Sequence, residues 1–232
     1  QRCDGVFLPA VSSLGVCLPV TQLVHRLKQQ AALRFVLIDA AQAFCQMPDV
    51  GIADCCDVLV TGCHKWLGAH LPMGIAVAGN SLAAEQIRCV INGPRHSAAC
   101  DDPLLQLTEQ LQTSHVSRYS ETVNILPVLS ANAALANVKN HQQALASEYR
   151  QRRVNADLVA ECLAETAWHP VDLDDSVRSA ILLARCRSGV TNYLDPDELQ
   201  SGFQRQGIAL SAYSGGWLRV SMPSQVFSPD HV

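Results

Sequence analysis

The sequence predicts an α/β protein: a mostly parallel sheet covered by helices, followed by a smaller α+β portion. Three observations carry this. The apolar runs Val36-Leu-Ile and Val58-Leu-Val lack the polar/apolar alternation of a strand with one wet face, so they read as strands buried on both sides. Segments of helical spacing lie between such runs, the pattern of a parallel sheet. Beyond a long helical stretch, short strand-like runs return around a single well-capped helix.

Residues 6–9 read as a short strand leading into the turn Val11-Ser-Ser-Leu-Gly15. Pro19 opens a helix to about Gln30, with Leu18, Gln22, Leu23, Arg26 and Leu27 at helical spacing. Arg34 to Ile38 is a continuous apolar strand ending at Asp39, and a helical or looped segment follows. The next strand is Asp57–Thr61, with a further apolar stretch at Gly74–Ala78. Residues 81–117 are irregular, with a helix near 82–88 and loop signals at Ile91-Asn-Gly-Pro-Arg-His and Asp101-Asp-Pro. Glu121 to about Glu165 is strongly helical, with a kink expected at Pro127. In the tail, strands are expected at Ser179–Cys186, Ile208–Ser211 and Trp217–Ser221. Asp195-Pro-Asp-Glu supplies an N-cap and an acidic first turn for a helix. Residues 1–120 are therefore assigned to a large domain, and 121–232 to a linking helix and a small α+β domain.

The 232 residues are 48% apolar and 16% charged, a globular composition. A net charge of −4 leaves no electrostatic footprint for nucleic acid, and the short cluster Arg150-Gln-Arg-Arg153 is expected on a solvated helix face. No apolar run is long enough to suggest a membrane span. The ten cysteines follow no disulfide-framework spacing, which points to reduced thiols in a cytoplasmic protein. Cys55-Cys56 and Cys63-His64 lack the paired CxxC spacing of a zinc site. The chain opens without Met and closes on the helix-start pattern Ser228-Pro-Asp-His, so both ends are expected to be cuts within a longer protein.

The chemistry centres on two strand ends. Asp39 follows Val36-Leu-Ile, and Lys65 follows Asp57-Val-Leu-Val-Thr-Gly-Cys-His64. Ligands of open α/β sheets bind beyond the carboxyl ends of the strands. An acid and an amine at one such edge can grip the two ends of a pyridine cofactor, the acid on the ring nitrogen and the amine on the aldehyde. An aspartate there could instead hold magnesium in a nucleotide site, but the chain contains neither GxxxxGK[ST] nor GxGxxG.

Three motifs in order, Asp39-Ala-Ala-Gln42, Thr61-Gly-Cys-His64-Lys65-Trp66 and Leu71-Pro-Met-Gly-Ile-Ala-Val, resemble the core of the class V aminotransferase-like enzymes, which use pyridoxal 5′-phosphate (PLP) on fold type I and include cysteine desulfurases and isopenicillin-N-epimerase-like proteins. Phe7 to Pro19 is similar to the segment before the large-domain helix. Arg118-Tyr-Ser-Glu-Thr122 resembles the stretch whose Thr reaches a neighbouring subunit's cofactor phosphate, and Gly216-Trp-Leu-Arg219-Val-Ser the strand whose Arg binds the substrate carboxylate.

The resemblance implies a homodimer acting on an amino acid by aminotransfer, epimerisation or β-elimination, with Cα-proton removal as the common first event. It implies that Lys65 forms the Schiff base and moves the Cα proton, Asp39 pairs with the pyridinium nitrogen, Gln42 bonds the ring's phenolic oxygen, and His64 and Thr122 serve the phosphate. Arg219 is flanked by Leu218 and Val220 on the opposite strand face. It is costly to bury without an anion, which a substrate carboxylate or one of the Asp residues at 172–175 would supply. Departures are Ser12, where relatives often carry Asn, and Gly62, where they often carry a phosphate-binding Ser, with Thr61 as a substitute. No Cys follows Cys186, so desulfuration is not the expected reaction. The segment of the family that cradles the phosphate is expected N-terminal to Gln1. The alternative is a non-catalytic or truncated module of the same fold, acting by binding or self-association.

Overall fold

The computed structural model describes residues 4–48, 51–92, 102–113, 122–140, 142–189 and 191–227. The chain divides into two compact units. One comprises Gln1–Leu8, Thr21–Ala41 and Gly51–Lys139, the other Pro9–Val20, Gln42–Val50 and Asn140–Val232. Among the described residues no helix is long and apolar enough to cross a membrane. Among the described residues Cys17, Cys55, Cys56, Cys63, Cys89 and Cys162 are free thiols.

The first unit carries a sheet ordered β1 (Gly5–Pro9), β2 (Phe35–Asp39), β3 (Val58–Gly62), β4 (Gly74–Ala78), with helices α1 (Val20–Gln30), α2 (Ser81–Asn92), α3 (Pro103–Thr113) and α4 (Leu126–Asn140). β2 and β3 are parallel, Leu37 opposite Val58 and Asp39 opposite Val60, and Val36 and Ile38 are buried. β4 is antiparallel to β3, so the sheet is mixed. The segment from Cys63 to Met73 holds no helix, and a parallel return needs a long crossover, most often helical. The carboxylate of Asp57 ties the sheet together: Oδ2 accepts from Val36 N at 2.8 Å and Oδ1 from Asn80 Nδ2 at 3.0 Å, while its carbonyl accepts from Gly79 N at 2.8 Å. A Cβ on Gly79 would lie 2.2 Å from the Cys56 carbonyl oxygen, so only glycine permits this approach.

The expected single helix over 121–165 is instead α4 and a separate α5 (Gln142–Ala164). Pro127 occupies the first turn of α4, where a missing N–H costs nothing, and so begins a helix rather than kinking one. α3 lies within the stretch expected to be irregular. The features expected at Ile91–His96 beyond Asn92, Asp101, Arg118–Glu121 and Ser228–His231 fall outside the described residues.

The second unit is an antiparallel sheet ordered β5 (Trp168–Pro170), β6 (Ile181–Cys186), β8 (Trp217–Ser221), β7 (Ser211–Tyr213), with α5 and α6 (Pro196–Arg205). β5 was not expected. Ala156, Leu182 and Met222 form a buried cluster, packed round by Val159, Ala160, Leu163, Val220 and Phe227. Asp195 caps α6 as expected, accepting from Asp197 N at 2.8 Å ahead of Pro196. The strand expected at Ile208–Ser211 starts only at Ser211, because the α6 terminus claims the preceding backbone: Gly207 N donates to Gln204 O and Ile208 N to Phe203 O.

Two buried polar side chains knit this unit. Asn155 is 1% exposed and fully bonded, donating to the carbonyls of Pro223 (2.8 Å) and Gln225 (2.7 Å) and accepting from Gln151 Nε2 and Phe227 N. Arg152 donates from Nη1 to the carbonyls of Cys45 and Gln46 and from Nη2 to Glu148. The Arg150–Arg153 cluster is therefore not a solvated face: Arg152 is buried, and Arg153 binds Asp175 and the Arg178 carbonyl. Helical spacing puts Arg152, Asn155 and Ala156 on one stripe, and that stripe faces inward. Burial lowers the Arg152 pKa, with Glu148 opposing the shift.

Candidate functional site

Because β2 and β3 are parallel neighbours, their carboxyl ends open on the same edge of the sheet, and both residues singled out there are delivered to it. Asp39 is the last residue of β2, and the next amide, Ala40 N, donates to Val60 O at 2.8 Å. Its Oδ1 accepts from Ala41 N at 2.8 Å, whereas Oδ2 accepts nothing from the described residues. β3 ends at Gly62, and a tight turn follows in which Ala69 N donates to Cys63 O (3.0 Å) and Gly68 N to Lys65 O (3.2 Å). Cys63 and Leu67 anchor that turn in the interior, leaving His64 and Lys65 exposed between them. Burial raises the Cys63 thiol pKa.

The Gly62 departure has a local reason. A Cβ there would come within 3.0 Å of His64 Cε1, so the glycine lets the imidazole fold back over the strand end. Thr61, the suggested substitute for a phosphate-binding Ser, is buried, and its Oγ1 has no hydrogen-bond partner among the described residues. A buried hydroxyl without a partner is costly unless something else satisfies it. An exposed amine, a carboxylate with a spare oxygen, an imidazole and an orphaned hydroxyl at one sheet edge fit the amine-reactive, cationic and anionic groups of PLP.

The second unit brings Gln42 and Arg219 together. Arg219 Nη2 donates to Gln42 Oε1 at 3.2 Å, 177 positions apart in sequence. The side chain is half-buried, and Nε is buried without a partner. No carboxylate among the described residues pairs with Arg219, which removes the salt-bridge reading. Asp174 instead caps a short 3-10 turn, accepting from Ser176 N and Oγ, bonds that hold its pKa below the usual carboxylate value. Asp175 pairs with Arg153 and, at 3.8 Å, with Arg178. Ser12 is used locally: its hydroxyl accepts from Val16 N at 3.1 Å and closes the turn before Cys17. Thr122 is exposed in the irregular segment before α4.

The sequence reading passed over Arg152 and Asp57, which fix the segments that carry Gln42 and the β2 strand. The sequence signal for Arg152 is its helical spacing to Asn155 and Ala156 on one stripe.

These units resemble known structures. The alanine–glyoxylate aminotransferase of Nostoc sp. superposes with a TM-score of 0.71 at 17% identity, covering 99% of this chain and 59% of that one. The pyridoxamine–pyruvate aminotransferase of Mesorhizobium loti matches at 0.70 and 17%, over 98% of this chain and 56% of its own. The Escherichia coli cysteine desulfurase CsdA matches at 0.68 and 17%, over 98% and 56%. No curated protein matches the chain. The chain thus spans under two thirds of the structures it resembles, and its fold is theirs, the α/β fold type I of PLP-dependent enzymes. The aminotransferase class-V family model matches residues 4–217, nearly the whole chain, and the chain belongs to that family.

Proposed function

We propose that this chain is part of a PLP-dependent enzyme that acts on an amino acid by removing its Cα proton, in aminotransfer, epimerisation or β-elimination. Members of the family bind PLP. The observation that carries the reading is the delivery of Asp39 and Lys65 by adjacent parallel strands to one sheet edge. When bound, the cofactor supplies an electron sink for the Cα carbanion. Lys65 provides the amine that attaches it and afterwards moves the proton at Cα. Asp39 keeps its spare oxygen for the ring N–H. His64 and the orphaned Thr61 hydroxyl serve the phosphate, and Gln42 serves the ring's phenolic oxygen. Arg219, with a buried donor that nothing among the described residues satisfies, takes the substrate carboxylate bidentately.

Thr122 would act on a neighbouring copy's phosphate, so the proposed assembly is a homodimer. The competing reading, a non-catalytic module of the same fold, is favoured by one observation: Ser12, at a position where relatives often use Asn, spends its hydroxyl on its own turn. Borohydride reduction of the intact protein incubated with PLP, followed by peptide mapping, separates the two. The pyridoxyl group is expected on Lys65. Label on another lysine, or none, would refute the enzymatic reading.

A further inference from the structure

We propose that Arg185 and Arg219 form a two-point anion site on one face of the antiparallel sheet, so that the preferred substrate is an amino acid whose side chain ends in a second acidic group. The inference rests on the reading of Arg219 as the α-carboxylate ligand and adds to it the substrate class.

The sheet register places the two guanidinium groups. Arg185 of β6 is opposite Trp217 of β8, and Leu183 is opposite Arg219. Residues opposite each other in an antiparallel pair project to the same side, as do residues two apart along a strand. His169, Arg185, Trp217 and Tyr213 therefore make one row across all four strands, and Leu183, Arg219 and Ser211 make the next row on the same face. Arg185 and Arg219 are diagonal neighbours, whose backbones are separated by roughly 7–8 Å. Two anionic groups of one small molecule can bridge that spacing.

The rows differ in shelter. Leu183 is buried and Arg219 half-buried with its Nε hidden from solvent, whereas Arg185 is exposed. An acid held at Arg219 is anchored inside, and the remainder of the ligand runs outward toward Arg185. That outer guanidinium is already oriented. Its Cζ lies 5.1 Å from the centroid of the Trp217 ring, a cation–π contact that fixes the plane while leaving edge N–H groups to donate. Among the described residues no carboxylate pairs with Arg185. The Trp217 ring, opposite Arg185 and two residues before Arg219 on the same strand face, offers an apolar wall for the methylenes joining the two acids. Side-chain carboxylate and side-chain phosphate share this chemistry, since both accept two N–H donors from one arginine.

The test is binding of alanine, glutamate and O-phosphoserine to the intact, PLP-loaded protein by calorimetry, for the wild type, Arg185→Gln, Arg185→Lys and Arg219→Lys. The wild type should hold at least one acidic ligand about tenfold tighter than alanine, a step typical of one charge-assisted bond. Arg185→Gln should abolish that preference with alanine affinity unchanged, and Arg185→Lys should restore part of it. Preference for glutamate alone identifies a carboxylate, and preference for O-phosphoserine alone a phosphate. Equal affinity for all three ligands in the wild type, or a preference that survives Arg185→Gln, overturns the proposal. Unchanged affinity for every ligand in Arg219→Lys overturns the underlying reading instead.

Discussion

Replacing Arg219 by Lys separates function from stability. Among the described residues the guanidinium makes one hydrogen bond, to Gln42, and no ion pair. Losing that bond should cost the fold only about 0.5–1.5 kcal/mol, the net worth of a single intramolecular hydrogen bond. Had the arginine been one half of a buried salt bridge, removing its fork would have stranded a carboxylate at a cost of about 3–5 kcal/mol. Against the substrate the balance reverses. A planar fork gives a carboxylate two charge-assisted bonds and an ammonium gives one, so about 1.5–3 kcal/mol of binding is lost, a roughly ten- to hundredfold weaker affinity. The assay is a titration of the amino acid against the visible absorbance of the PLP-loaded protein, beside a urea midpoint for each form. The expected result is weakened substrate binding with undiminished PLP content and a small midpoint shift. A large midpoint shift with unchanged affinity in the surviving folded fraction would refute the reasoning.

Three further outcomes follow from the packing. Asn155→Ala leaves the carbonyls of Pro223 and Gln225 and the Phe227 amide without their partner, and should cost about 2–4 kcal/mol in urea unfolding; it should also expose residues 223–227 to limited proteolysis, and an unchanged midpoint would mean that this tail is held by its apolar contacts alone. Gly15→Ala should destabilise by about 2–4 kcal/mol, because φ is +87° and the added Cβ would sit 2.7 Å from both the carbonyl oxygen and the Cβ of Ile181; a neutral result would require the turn to rebuild. Burial raises the pKa values of Cys17, Cys56 and Cys63 above the ordinary thiol value of 9.0, so the native state keeps protons that the unfolded chain releases. Their contribution to stability is therefore complete below about pH 9 and is lost as pH rises through the folded values. Urea midpoints from pH 7 to about 10.5 should fall at the alkaline end, with a shallower fall when the three are replaced together by Ala; an identical slope in that variant would remove the thiols as the cause.

Much of the first unit was legible in the sequence because its signals are local. A buried strand such as β2 must be continuously apolar, and the charge that ends it marks the sheet edge, so the sequence alone places Asp39 and Lys65 there. The N-cap at Asp195 and the turn around Gly15 were legible for the same reason: capping and backbone conformation are settled by a few neighbouring residues. The antiparallel direction of β4 and the start of β7 were not, since both depend on how the connecting backbone spends its hydrogen bonds. Only the tertiary structure decided that residues 42–50 cluster with the C-terminal half, where Arg152 binds their carbonyls and Gln42 meets Arg219. It alone set Arg185 beside Trp217, one row from Arg219. Those pairings join residues far apart in sequence. Sheet register and the desolvation of a buried guanidinium exist only once distant segments pack, and no local pattern of residues encodes them.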